Sequence, residues 1–226
     1  MKRLRMRQTE EKRADWRGRS WIRWYNECFG WCRRGKPSFS PVPLSVIVFV
    51  AHDTVPTSGF QVAITDYPAP PILATLKKNT KKNLPANLLP RVTVNPHQWG
   101  DVSSAFASAH THRYTRILAA DCLWMPHEHE NLAASMLHFL SHDPHARVYV
   151  IAGFHTGRAK MAPFIEEVVP TAGLQVEDIF EMDAEGRRRE WTKERDGGRE
   201  DVGGRKKWLM VARLRRKEST HNMAKA

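Results

Sequence analysis

From Gln61 onward, short β-rich runs alternate with helix-patterned stretches, and this alternation limits the fold more than any other feature of the chain. QVAIT (61–65) reads as a strand and Pro71–Leu84 as a helix. Its prolines suit a first turn, and Lys77, Lys78, Lys81 and Lys82 lie toward its C-terminal end. Arg91–Asn95 reads as a strand, residues 103–113 as a loop or short helix, and RILAA (116–120) as a strand. His127–Leu140 is patterned as a helix with Leu132, Met136, Leu137 and Leu140 on one face. RVYVIA (147–152) is a strand, Lys160–Thr171 a helix, Leu174–Met182 a strand and WLMVARL (208–214) a last strand. Such an order predicts an α/β domain: a mostly parallel, doubly wound sheet with helices on both faces. The last two strands have no helix between them and are expected to pair antiparallel at one edge. The charged, glycine-rich stretch 186–204 reads as a mobile loop.

Ahead of this pattern stands VIVFVA (46–51), apolar on both faces. A strand of that kind belongs inside a parallel sheet, so the central slot is its expected place. It follows KPSFSPVPLS (36–45), whose three prolines mark a linker or irregular loop. Ala14–Phe29 can form an amphipathic helix with Trp21, Trp24, Tyr25 and Cys28 on one side. The expected organisation is a basic Trp/Arg-rich segment at 1–36, one domain at 37–217 and a tail at 218–226.

The net charge of +12 invites a nucleic-acid reading, but its distribution argues against one. Residues 1–36 and 186–217 each carry +8, whereas 37–185 carry −4. Charge loaded at the ends is expected of solvated segments, and no nucleic-acid reader motif accompanies it. The longest apolar run is far shorter than a membrane span, and the charged first 30 residues do not read as a secretory signal. Three cysteines make no disulfide framework, so a reducing compartment, cytosolic or nuclear, fits, and a cytoplasmic location is expected. His138 and His142 are four apart, but no glutamate or cysteine set joins them, and no metal site is expected.

Candidate binding residues stand where strands end, because ligands of doubly wound sheets sit beyond the carboxyl ends of the strands. Asp66 closes QVAIT, where a carboxylate can accept hydrogen bonds from the two hydroxyls of a ribose or can cap a turn. Trp99 follows the third run, where an indole can stack on a purine or fill the core. Asp121 follows RILAA and can face a cofactor or cap a helix. Cys122 reads as buried. GFHTGR (153–158) lacks the phosphate-loop pattern and reads as a loop over the sheet top.

ITDYP (64–68), QWGD (98–101), ILAADCLWMPHEHENLAASMLHFL (117–140), VYVIAGFHTGRAKMAPF (148–164) and the closing GRRREW…KKWLMVARLRR together resemble the fungal nicotinamide N-methyltransferase-like proteins. These are grouped with lysine methyltransferase-like enzymes, among them one acting on the N-terminus and adjacent lysine of a translation elongation factor. The resemblance spans about residues 60–217. It implies a Rossmann-like class I methyltransferase sheet and S-adenosylmethionine as cofactor. It also implies that Asp66 holds the ribose, Trp99 lies against adenine, Ala120 and Asp121 line the methionine side and Trp124 borders the substrate pocket.

The implied activity is N-methylation of protein amino groups, at lysine or an N-terminus, or of nicotinamide. The implied partners are an elongation factor or nicotinamide, and the expected state is a monomer. The family carries a glycine-rich motif, ExGxGxGLP, after its first strand, and residues 1–60 hold no such run. That departure leaves the N-terminal part atypical. It keeps a second reading open, a catalytically silent methyltransferase-like domain that serves as a binding module.

Overall fold

The computed structural model describes residues 46–52 and 60–218. The basic segment 1–36, with its expected helix, the proline-rich linker and the tail from 219 lie outside the described residues.

The strands are β1 Val46–His52, β2 Phe60–Asp66, β3 Val92–Pro96, β4 Arg116–Ala120, β5 Arg147–Gly153, β6 Leu174–Asp183, β7 Arg188–Glu190 and β8 Trp208–Arg216. Between them stand α1 Pro70–Asn83, α2 Ala105–Ala109, α3 His129–Phe139, α4 Arg158–Pro163, a π-helical turn Phe164–Val168 and α5 Val169–Thr171. A last short helix, α6 Val202–Arg205, precedes β8. The helix expected over 160–171 is thus α4 to α5, with Pro163 inside it. Proline supplies no amide hydrogen, and the wider turn follows directly after it.

All eight strands form one sheet, in the order β3-β2-β1-β4-β5-β8-β6-β7. β2 pairs parallel with β3, and β4 pairs parallel with β5. β8 lies antiparallel between β5 and β6. The pairings make β2, β3, β4, β5 and β6 co-directional, as in a Rossmann-like α/β sheet. β4 and β5 are buried nearly end to end, as central strands with both faces covered must be. The core gathers Ile117, Val148 and Val150 of the sheet with Leu132, Met136 and Phe139 of α3.

Three expectations need correction. β1 occupies the central slot but runs antiparallel to both neighbours, with His52 opposite Phe60 and Val46 opposite Ala120. Connection length gives the reason: only residues 53–59 join β1 to β2, and a parallel crossover takes a dozen residues or more. The strand WLMVARL lies inside the sheet as β8, and the edge strand is β7. The stretch 186–204 is a structured insertion rather than a mobile loop. It contains β7, a turn of 3-10 helix and the start of α6, and it is tied down by ion pairs described below. No helix among the described residues is long and apolar enough to cross a membrane.

Candidate functional site

The parallel strands end at one edge of the sheet: β3 at Pro96, β2 at Asp66, β4 at Ala120, β5 at Gly153 and β6 at Asp183. β1 is reversed, so it begins at this edge instead of ending there. In register, Val46 faces Ala120 and Ile47 faces Thr65. Where a first strand would pass into a turn over a ligand, the chain instead enters the sheet.

Asp66 is 7% exposed. Its Oδ1 accepts from the Tyr67 amide at 2.7 Å, and its Oδ2 is buried without a hydrogen-bond partner. Burial pushes this carboxyl up to about 6, against the smaller opposing effect of the Tyr67 amide. A buried carboxylate oxygen without a partner is costly in a folded protein, and such costs concentrate at binding sites. Hydroxyl donors from a ligand would remove the cost.

Trp99 stands three residues beyond β3 and packs, half-buried, against the core. Its position is braced from α3. Ser135 Oγ accepts from the Gly100 amide at 2.8 Å and lies 3.0 Å from His97 Nε2. Burial pushes His97 down to about 4, so its ring is neutral at pH 7. The His97 amide in turn donates to the Asp66 carbonyl at 2.9 Å, which ties the Trp99 turn to the end of β2. Gly100 sits at φ 81°, and a Cβ there would meet Asn131 Oδ1 at 2.6 Å, so any side chain in the turn is strained and must displace Asn131. Sequence reasoning missed this brace, although the GD after Trp99 signals a turn.

Ala120 is buried at the tip of β4, and Asp121 follows at φ 54°, a left-handed conformation that costs a non-glycine residue energy. β5 holds it there. The Asp121 amide donates to the Ile151 carbonyl at 2.7 Å, and Oδ1 accepts from the Gly153 amide at 3.2 Å. Oδ2 lies 3.8 Å from His155 Nε2. Cys122 is fully buried, and its thiol donates to the Ala120 carbonyl at 3.3 Å. Burial raises this thiol well above its ordinary range, and the charges of Asp121 and Asp66 add to the rise. Both carboxylates are therefore near it, and a thiol held protonated is a poor nucleophile. Leu123 is buried, its carbonyl held by His129 Nε2 at 3.2 Å, whereas Trp124 remains 37% exposed. The structure thus brings Asp66, Trp99, Ala120, Asp121 and Trp124 to one edge.

Sequence reasoning also missed the support beside this edge. The GFHTGR stretch turns over the sheet top as expected: Phe154–Thr156 is a 3-10 turn and Gly157 has φ 91°. Arg158 then enters the interior. Its guanidinium bonds Glu181 at 2.5 and 2.9 Å, Glu200 at 2.7 and 2.9 Å and the Thr192 carbonyl at 2.8 Å, over the Phe154 ring. Arg189 and Arg195 reach Glu181 as well. Burial would raise the fully buried Glu181, but Arg158 and Arg189 outweigh it and hold the carboxyl below its usual range. Trp191 stacks on Phe154 with centroids 6.0 Å apart. The insertion after β6 is therefore locked onto the loop after β5.

Residues 46–169 match the model of a protein family described as lysine methyltransferase. No curated protein matches the chain. Among solved structures, a methyltransferase candidate from Thermoplasma acidophilum aligns at 11% identity and TM-score 0.40 over 70% of this chain and 57% of its own. A SAM-dependent methyltransferase from Methanosarcina mazei aligns at 7% identity and TM-score 0.42, over 70% of this chain and 83% of its own. A riboflavin-derivative dimethyltransferase from Streptomyces davawensis aligns at 14% identity and TM-score 0.40. The chain spans 69% of its own length in that alignment and 42% of the Streptomyces enzyme.

Proposed function

The chain belongs to the lysine methyltransferase family, and we propose that it transfers a methyl group to an amino nitrogen of a protein, at a lysine or an N-terminus. S-adenosylmethionine is the cofactor that goes with this family, and it supplies the methyl group on a positively charged sulfur. The observation that carries the reading is Asp66, whose buried, unpartnered Oδ2 at the end of β2 suits a pair of ribose hydroxyls. Trp99, braced beside it, offers an aromatic face to the base. Ala120 and Asp121 would border the methionine end.

The protein's share of the chemistry is placement. Holding an amine in line with an activated methyl group removes much of the entropic barrier. Trp124 and Tyr67, both exposed beside the site, give a peptide apolar surface to lie on, which favours a protein amine over nicotinamide. An elongation factor, expected from the resemblance, is one such protein.

The reversal of β1 favours a second reading, a methyltransferase-like domain that no longer turns over substrate and serves as a binding module. Among the described residues no turn follows β1 at the cofactor edge, so other residues must supply the backbone donors there. Incubation with tritiated S-adenosylmethionine and a peptide carrying one lysine and a free N-terminus tests the catalytic reading. Labelled peptide supports it. Cofactor binding without transfer to peptides or to nicotinamide supports the silent domain.

A further inference from the structure

Resting on the methyltransferase reading, we propose that His155 is the proton acceptor for the substrate amine, with Asp121 as the carboxylate that receives the ammonium beside it. An amine reaches the enzyme at neutral pH as an ammonium ion and has no lone pair to attack with. One N–H bond must break before the new N–C bond forms. The proton has to go to a group at the mouth of the site.

His155 is placed for this. Its side chain is 57% exposed, and Nε2 lies 3.8 Å from Asp121 Oδ2. That separation is too long for a hydrogen bond. It is a span that one nitrogen can bridge by donating to both atoms, with the ring in the tautomer protonated at Nδ1. A neutral imidazole carries a lone pair on one ring nitrogen and can take a proton there, which suits a general base. On transfer, the N–H electron pair stays on the amine nitrogen, the proton goes to Nε2, and the imidazolium is left facing a carboxylate. The proton then passes from the ring to water.

Two backbone features exist to hold the pair. Asp121 keeps its left-handed conformation under two hydrogen bonds with β5, one donated to Ile151 and one accepted from Gly153. Gly153 leaves room for the ring: a Cβ there would fall 2.5 Å from His155 Nε2. Among the described residues, Asp121 is the acidic side chain paired with the ring. From the β4 loop, Asp121 faces it. From α4, Arg158 is turned away into Glu181 and Glu200. From α6, the Arg205 guanidinium approaches Gly157, two residues further on.

The test uses the full chain with ring-labelled histidine, saturated with S-adenosylhomocysteine and titrated with n-butylamine hydrochloride while ring resonances are followed by NMR. The His155 signal, assigned by its loss in His155→Gln, should move with amine, and Asp121→Asn should at least halve the response. A His155 signal that ignores the amine overturns the assignment, whether or not other signals move. In parallel, His155→Gln should leave S-adenosylhomocysteine affinity within about twofold. In the peptide assay it should lower kcat about 100-fold and abolish the acidic limb of the pH profile. An unchanged kcat and profile overturn the proposal. Failure of the wild type to bind S-adenosylhomocysteine defeats the methyltransferase reading instead, and the amine titration run without ligand then decides His155 by itself.

Discussion

Val46 stands opposite Ala120 in the antiparallel register of β1 and β4, so the chain enters the sheet at the edge where Asp66 and Asp121 are displayed. This placement decides which residues can reach a cofactor there. β1 itself ends away from that edge, at His52 opposite Phe60. Among the described residues, the loops after β2, β3, β4 and β5 stand at the Asp66 edge.

The reversal can be checked by crosslinking. Paired residues of antiparallel strands have Cα atoms close enough for a disulfide. With the native cysteines changed to alanine, Val46→Cys with Ala120→Cys should form an intramolecular disulfide under mild oxidation. Val46→Cys with Arg116→Cys, which a parallel β1 would place together, should remain reduced. The opposite pattern, read by mass spectrometry, would restore a parallel β1.

Asp66 makes the apoprotein sensitive to pH. Its folded pKa of about 6 lies above the ordinary 3.8, so the folded state holds this proton more tightly than the unfolded chain does. The contribution of this group is therefore fully present below about pH 4 and is lost as pH rises to about 6. A shift of about two units corresponds to a few kcal/mol as an upper bound. Other carboxyls titrate nearby, so the comparison is between wild type and Asp66→Asn. Across pH 4 to 7, urea unfolding should show the wild type losing stability relative to the variant. Parallel curves would mean that Asp66 is not desolvated.

Arg158 holds the insertion to the site loop. Arg158→Met leaves Glu181 buried beside weaker partners, and breaking such a pair costs about 3–5 kcal/mol. Adding Glu181→Gln should recover part of the loss, because the stranded charge is gone. Limited proteolysis of Arg158→Met should cut within 186–204, and the wild type should resist cleavage there. Resistance in both proteins would show that the ion pairs do not hold the segment.

Gly100 sets the turn that carries Trp99. Gly100→Ala forces a side chain onto a positive φ and into Asn131, and should cost about 1–3 kcal/mol. Asn131→Ala in the same chain should return only the part due to the clash. Thermal unfolding of the single and double variants separates the two contributions. Full rescue would show that backbone strain at residue 100 is negligible.

Periodicity and turn residues located β2 to β6 and β8 to within a residue or two, and α1 and α3 nearly as closely, but not β7, which lies in the stretch read as a loop. Strand direction was not carried by composition. VIVFVA is equally apolar in either direction, and only the short span from His52 to Phe60 shows that β1 must run back as a hairpin. The insertion at 186–204 was read as mobile because its charges look like solvent-facing ones. Pairing of Arg189 and Arg195 with the distant Glu181 makes them structural, and no local pattern shows that. Asp66 and Asp121 could be picked out because strand ends in an alternating pattern are legible, whereas Trp124 came only from the family resemblance. His155 could not, because its role depends on a contact with Asp121 across two strands.

The most direct test of the central claim, cofactor binding at the Asp66 edge, is calorimetry of S-adenosylhomocysteine against the wild type and Asp66→Ala. Charge-assisted hydrogen bonds to two hydroxyls contribute roughly 1.5–3 kcal/mol each. The wild type should therefore bind measurably, and the variant should bind at least about tenfold more weakly. Equal affinities would place the ligand elsewhere, and no heat from the wild type at millimolar ligand would contradict the claim outright.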